Sequence, residues 1–241
     1  MVIRAEDVRA IIFDLDRTLI KSQRGFDKAL SEAANYLTQY LKRQGHSISR
    51  AKIYGTLRSI AKSFESHGLY DRDEWWIILL RRLGLPRLGG IWVHKVTLLY
   101  WKAYTSASPP YPDAGYTLRT LRKRGYQLAL VTDTDGTPGM KRKRVRTLQF
   151  YDLFETVVVA GEDTPKIKPS KMPFTLVAKR LRLPPKRCVY VGDNPKVDVR
   201  GAKAVGMQTI LVKRRRLKGD RPTLVIKFLR KLLRIFKANQ A

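Results

Sequence analysis

The chain has 241 residues, 44% of them hydrophobic, enough to bury one sizeable core and a second small module. Its 49 Lys and Arg against 20 Asp and Glu leave a formal net charge of +29, so anionic partners are favoured: phosphorylated metabolites, nucleic acid or an acidic membrane surface. A basic, solvated surface of the kind thermophilic proteins carry is the plainer alternative, while a single cysteine excludes an internal disulfide and the absence of a long apolar run argues against a helical membrane span.

In chain order, the first element is an apolar run at residues 8–13 that ends in Asp14-Leu15-Asp16 and reads as a buried strand carrying two acids out at its carboxyl end. From about residue 21 to 108 the pattern is helical, with amphipathic stretches at Phe26–Lys42, Ala51–Phe64, Asp73–Leu83 and Trp92–Tyr104, broken at Gly68, Gly84, Pro86 and Gly89-Gly90. Its tryptophans, Trp75, Trp76, Trp92 and Trp101, are expected to form the core of that insertion, and His46, His67 and His94 show no metal-ligand spacing. After Pro109-Pro110 strand-like runs at 127–132, 156–160, 187–192 and 208–212 alternate with helical segments at Ala114–Arg124, Lys141–Phe150, Pro173–Leu183 and Val197–Val205. That alternation predicts an α/β fold with a parallel sheet and crossover helices, in which Cys188 is a small buried core residue. Two basic clusters stand out at Lys141–Arg146 and Lys213–Arg216, and the spacing of Leu224, Phe228, Leu232 and Ile235 predicts a closing helix over Pro222–Phe236. No secretory leader is expected, and with one cysteine the setting reads as cytoplasmic.

Two carboxylates as close as Asp14 and Asp16 repel when both are ionised, so a cation between them or a retained proton is needed, and either points to a site. Further polar groups cluster at later strand ends: Thr132 and Asp133, then Lys168-Pro169, then Gly192-Asp193-Asn194 with Asp198 beyond. In this order the pieces resemble the haloacid-dehalogenase superfamily, and the resemblance spans essentially the whole chain. Asp133-Thr134-Asp135-Gly136-Thr137 fits the usual DxDGT string better than Asp14–Thr18 does, since Arg17 stands where glycine is common. Order decides for Asp14: starting from Asp133 leaves no strand-end Thr or Ser before Lys168, so the second string is expected to be the turn into the Lys141 helix.

The resemblance implies a Rossmann-like core over residues 1–20 and 109–241, helices on both sheet faces, and a helical cap over 21–108 that closes on small phosphorylated metabolites, as in phosphoglycolate phosphatases. It implies Asp14 as nucleophile, forming an aspartyl-phosphate, and Asp16 as general acid and base. Mg²⁺ would be held by Asp14, the main-chain carbonyl of Asp16, and Asp193. Thr132, Asp133 and Lys168 would bind the phosphoryl group; Asp198, Thr18 and Asn194 would support the site, Asp198 by orienting Lys168 or a metal-bound water; and Arg17 would tune substrate choice. Asp16 favours a phosphatase over a dehalogenase, because halide leaves without a proton. The alternatives are a phosphomutase of the same superfamily and a basic protein binding nucleic acid or another anion on an inactive fold; no stacking or recognition-helix motif supports the nucleic-acid reading.

Overall fold

A computed structural model of the chain describes residues 3–67 and 69–238, with the backbone alone at 65–67; Gly68 and the His67 side chain therefore lie outside the described residues. The chain divides into two compact units, the first drawn from Met1–Lys21, Pro110–Thr134 and Gly139–Ala241 and the second from Ser22–Pro109 with Asp135–Pro138. The helices of the second are α1 (Ser22–Arg43), α2 (Arg50–His67), α3 (Asp73–Arg82) and α4 (Gly90–Ser106); those of the first are α5 (Ala114–Lys123), α6 (Met140–Arg146), α7 (Lys171–Arg180), α8 (Arg200–Lys203) and α9 (Leu232–Ile235). None of the described helices is long and apolar enough to cross a membrane.

The strands of the first unit are β1 (Ala10–Phe13), β2 (Gln127–Asp133), β3 (Thr156–Ala160), β4 (Cys188–Gly192), β5 (Gln208–Val212) and β6 (Leu224–Ile226), all parallel in the order β3-β2-β1-β4-β5-β6. Successive residues of a strand serve opposite faces. Ile11, Phe13, Leu128, Leu130, Val189 and Val191 pack on α5 and the C-terminal segment. Ala10, Ile12, Ala129, Val131 and Tyr190 pack with Phe174 and Val177 of α7. Because both faces are covered, the central strands read as unbroken apolar runs, which made them visible in the sequence. With β1 between β2 and β4, the residues following these three strands lie side by side at the carboxyl edge of the sheet, where open α/β folds bind their ligands.

The C-terminal segment differs from the expected helix. Leu224–Ile226 is instead a sixth strand registered on β5, Ile210 opposite Leu224 and Val212 opposite Ile226. Reciprocal hydrogen bonds seat it, the Thr209 N–H donating to Thr223 Oγ1 and the Thr223 N–H to Thr209 Oγ1, each at 3.1 Å. Pairing here covers the ladder edge of β5, and β-branched Thr223, Val225 and Ile226 suit a strand. A tight turn at Leu229–Lys231 then leads into α9, so Leu229, Leu232 and Phe236 are buried while Phe228 is 47% exposed.

The core of the helical unit is aromatic. Trp75, Trp76 and Trp101 are buried, Trp76 Nε1 donates to Thr97 Oγ1 at 2.7 Å, and the Arg72 guanidinium lies 3.9 Å above the Trp75 ring. Trp92 is half-buried beside Tyr40, ring centroids 5.0 Å apart. Gly136, from the second DxDGT-like string, also belongs to this unit: its φ is +81°, and a Cβ there would fall 2.2 Å from the Tyr70 carbonyl oxygen. Close backbone approach, rather than chemistry, accounts for that glycine.

Candidate active site

The Asp14 N–H continues the β1 ladder by donating to the Val191 carbonyl at 2.9 Å, which fixes the residue's backbone between the ends of β1 and β4. Its carboxylate is buried and doubly held: Thr18 Oγ1 donates to Oδ2 at 2.9 Å and Lys168 Nζ to Oδ1 at 2.7 Å. Burial pushes its pKa up to about 8; Lys168 opposes the rise, and Asp198 and Asp193 add to it. Thr18 reaches Asp14 because the chain turns back after Asp16, the Leu19 N–H donating to the Leu15 carbonyl and the Arg17 N–H to the Ile20 carbonyl. Arg17 takes a φ of +64° to make that turn, the left-handed region in which glycine is at ease.

Lys168 Nζ also donates to Asp198 Oδ1 at 2.8 Å and lies 3.4 Å from the Tyr190 hydroxyl, which donates to the Val131 carbonyl at 3.1 Å. Burial works against the charge of Lys168, but Asp14 and Asp198 outweigh it and raise its pKa well above the ordinary value. The Lys168 main chain is tied as well, its N–H donating to Asp133 Oδ1 at 3.0 Å, so Asp133 anchors the lysine's own backbone to the end of β2. The other Asp198 oxygen, Oδ2, accepts the Asn194 N–H at 3.0 Å. Gly192 makes room for this approach: a Cβ there would lie 2.5 Å from Asp198 Cγ. Thr132, next to Asp133 in β2, is buried at the same edge.

Asp193 is nearly buried, and its Oδ2 accepts no hydrogen bond among the described residues, although Arg215 Nε stands 3.6 Å away. Burial, with Asp198 adding, pushes its pKa up to about 6. Carboxylate oxygens of Asp14, Asp193 and Asp198 all lie within 4.8 Å of one another. Both oxygens of Asp14 and both of Asp198 already accept hydrogen bonds, so it is the unsatisfied buried Oδ2 of Asp193 that marks this trio as fit for a hard cation.

The Asp16 side chain stands outside this trio. Lys141 Nζ donates to its Oδ2 at 2.8 Å and Arg144 comes within 3.6 Å of Oδ1, both from α6. In the sequence Lys141 and Arg144 stood out only as part of a basic cluster and Tyr190 only as part of an apolar run, with little to place them at the site. A tyrosine in an apolar strand looks like core, and two lysine or arginine side chains in a basic cluster look solvated; the i, i+3 spacing of Lys141 and Arg144 was the one available hint.

The constellation can be set beside known proteins. The family model described as haloacid dehalogenase-like hydrolase matches residues 8–206. A glyceraldehyde 3-phosphate phosphatase of Methanopyrus kandleri is 29% identical over 210 residues, 86% of this chain and 84% of that one. A ribulose-1,5-bisphosphate 5-phosphatase of Halopiger xanaduensis is 32% identical over 211 residues, 84% of this chain and 83% of its own. Among solved structures, a HAD phosphatase from Thermococcus onnurineus superposes with a TM-score of 0.71 at 26% identity, over 97% of this chain and all of that one. With strand order, strand-end acids and family match in agreement, the chain belongs to the haloacid dehalogenase-like hydrolases, within their phosphatase branch.

Proposed function

We propose that the chain is a Mg²⁺-dependent phosphatase that hydrolyses a small phosphorylated metabolite through an aspartyl-phosphate, with Asp14 as nucleophile and Asp16 as general acid and base. One observation carries this reading: Asp14, buried at the sheet edge, is gripped by Lys168 while Asp193 and Asp198 crowd the same few ångströms. Such crowding of buried acids is costly unless retained protons or a bound cation offset it, and a cation is the partner that leaves Asp14 ionised for attack. Asp14, Asp193 and the main-chain carbonyl of Asp16 would hold that ion, which when bound offsets the mutual repulsion of carboxylate and phosphoryl oxygens.

Asp14 attacks phosphorus as the bond to the leaving oxygen breaks, and Asp16 gives that oxygen a proton. Water then attacks the phosphorus of the aspartyl-phosphate and Asp16 takes its proton, restoring Asp14. Lys168 and Thr132 hold the phosphoryl oxygens, and Asp198 keeps Lys168 aligned through the 2.8 Å contact. The substrates named for the two relatives, glyceraldehyde 3-phosphate and ribulose-1,5-bisphosphate, support a small phosphorylated metabolite as substrate here. The helical unit is assigned as the substrate-selecting cap, and Arg17 as a residue that tunes that choice. A reducing, cytoplasmic setting suits Cys188, whose buried thiol is pushed up to about 12 and carries no thiolate chemistry at neutral pH.

Hydrolysis of an aryl phosphate, followed with Mg²⁺ and with chelator, tests the reading. Removing the ion and the Asp14→Asn substitution are each expected to cut the rate by about 10³-fold or more. Equal rates for wild type and variant would contradict it.

A further inference from the structure

The basic cluster opening α6 is not uniformly solvated. Lys141 and Arg144, one turn apart, are 3% and 6% exposed, while Lys143 and Arg146 on the same helix are exposed and Arg142 pairs with Glu162 and Asp163. A helix reading Met-Lys-Arg-Lys-Arg-Val-Arg could leave its cations in water at no cost. Sinking two of them onto one carboxylate instead is a poor route to stability, because desolvation cancels much of the attraction. What the arrangement does secure is the orientation of that carboxylate, Asp16.

Resting on the reading of Asp16 as general acid and base, we propose that Lys141 is the positioning residue for Asp16, with Arg144 as a second hold. The Lys141 ammonium carries donors and no acceptor, so the Asp16 oxygen it binds, Oδ2, must accept. Arg144, also donor-only, stands 3.6 Å from Oδ1, beyond hydrogen-bond distance, so Oδ1 is the oxygen that can carry the exchanged proton. In the first half-reaction the bond from Asp14 to phosphorus forms, the bond from phosphorus to the leaving oxygen breaks, and the Oδ1 proton goes to that oxygen. In the second, water oxygen bonds to phosphorus, the bond to Asp14 breaks, and a water proton returns to Oδ1. Without Lys141 the carboxylate loses its nearest hold and turns more readily about its side-chain torsions, and both transfers lose alignment.

A leaving group that departs as a stable anion needs no proton, whereas an alkoxide does. The test is kcat/KM, which reports the first half-reaction, for β-glycerophosphate and for 2,4-dinitrophenyl phosphate, measured on the same sample. Asp16→Asn is expected to lower the alkyl-to-aryl ratio by about 10²-fold, Lys141→Met by about tenfold or more, and Lys141→Arg to recover most of the loss. Since both substrates see one sample, the ratio does not depend on how much of it is folded; Lys141→Leu is read in the same way if Lys141→Met is not recovered. Equal loss on both substrates, or no loss on either, in the Lys141 variants would overturn the inference while leaving Asp16 in place. Equal loss on both in Asp16→Asn would remove the reading of Asp16, and the role of Lys141 with it.

Discussion

Arg17 shows how a single residue can serve the site at a cost to the fold. Its left-handed φ of +64° lets the chain double back so that Thr18 reaches Asp14, a conformation that costs a side-chain-bearing residue about 1 kcal/mol. Its guanidinium also opposes the rise in the Asp193 pKa that burial and Asp198 produce, which places positive charge beside the acid proposed as a metal ligand. Arg17→Gly is therefore expected to stabilise the ion-free protein by about 0.5–1 kcal/mol in urea unfolding; a clear loss of stability would mean that its side-chain contacts outweigh the strain. At this scale Asp14, Asp16 and Asp193 were legible in the sequence because they follow apolar runs, where a charge has no packing reason to be, whereas Asp198 by itself read as an ordinary helix-start residue. Lys168 was legible only through the order of its neighbours. Tyr190 and Lys141 were not, since a buried hydroxyl in a strand and a buried cation in a basic cluster look no different, as letters, from core and surface.

The parallel strands lie close to where their apolar runs placed them, whereas the C-terminal segment does not follow its apparent period. Leu224, Phe228, Leu232 and Ile235 recur every three or four residues, as a helix requires, yet a short strand, a bend and a turn scatter apolar residues at the same intervals. What decided between them is tertiary: β5 offers an unpaired ladder edge, and no local pattern records that. Burial separates the two readings experimentally. Leu229→Ala, at a fully buried position, is expected to cost about 2–5 kcal/mol, and Phe228→Ala, half exposed, far less, about 1 kcal/mol or below. A helix with Phe228 on its apolar face would reverse that order in chemical denaturation.

Over the whole molecule, the net charge of +29 contrasts with a site in which Asp14, Asp193 and Asp198 crowd one lysine. A positive overall charge favours the approach of phosphorylated ligands, and the cluster of acids is what the proposed cation site rests on. The pH dependence follows with a definite sign. Asp14 and Asp193 have ordinary values near 3.8 but are raised to about 8 and about 6, so the folded, ion-free protein holds their protons more tightly than the unfolded chain does. That contribution to stability is complete below the ordinary value and is lost as pH rises through 6 and 8. On the proposed reading Mg²⁺ would take the place of the missing protons, so the rise in Tm on adding Mg²⁺ is expected to be larger at about pH 8 than at about pH 5.5; an increment that shrinks with pH would contradict the site. The central claim, that Asp14 carries the phosphoryl group, is met most directly by acid-quenching the enzyme during turnover of an aryl phosphate with Mg²⁺ and locating the label by mass spectrometry. One phosphoryl group is expected on the peptide that contains Asp14, absent in Asp14→Asn; turnover with no label there, or with label retained in Asp14→Asn, would contradict an aspartyl-phosphate at Asp14.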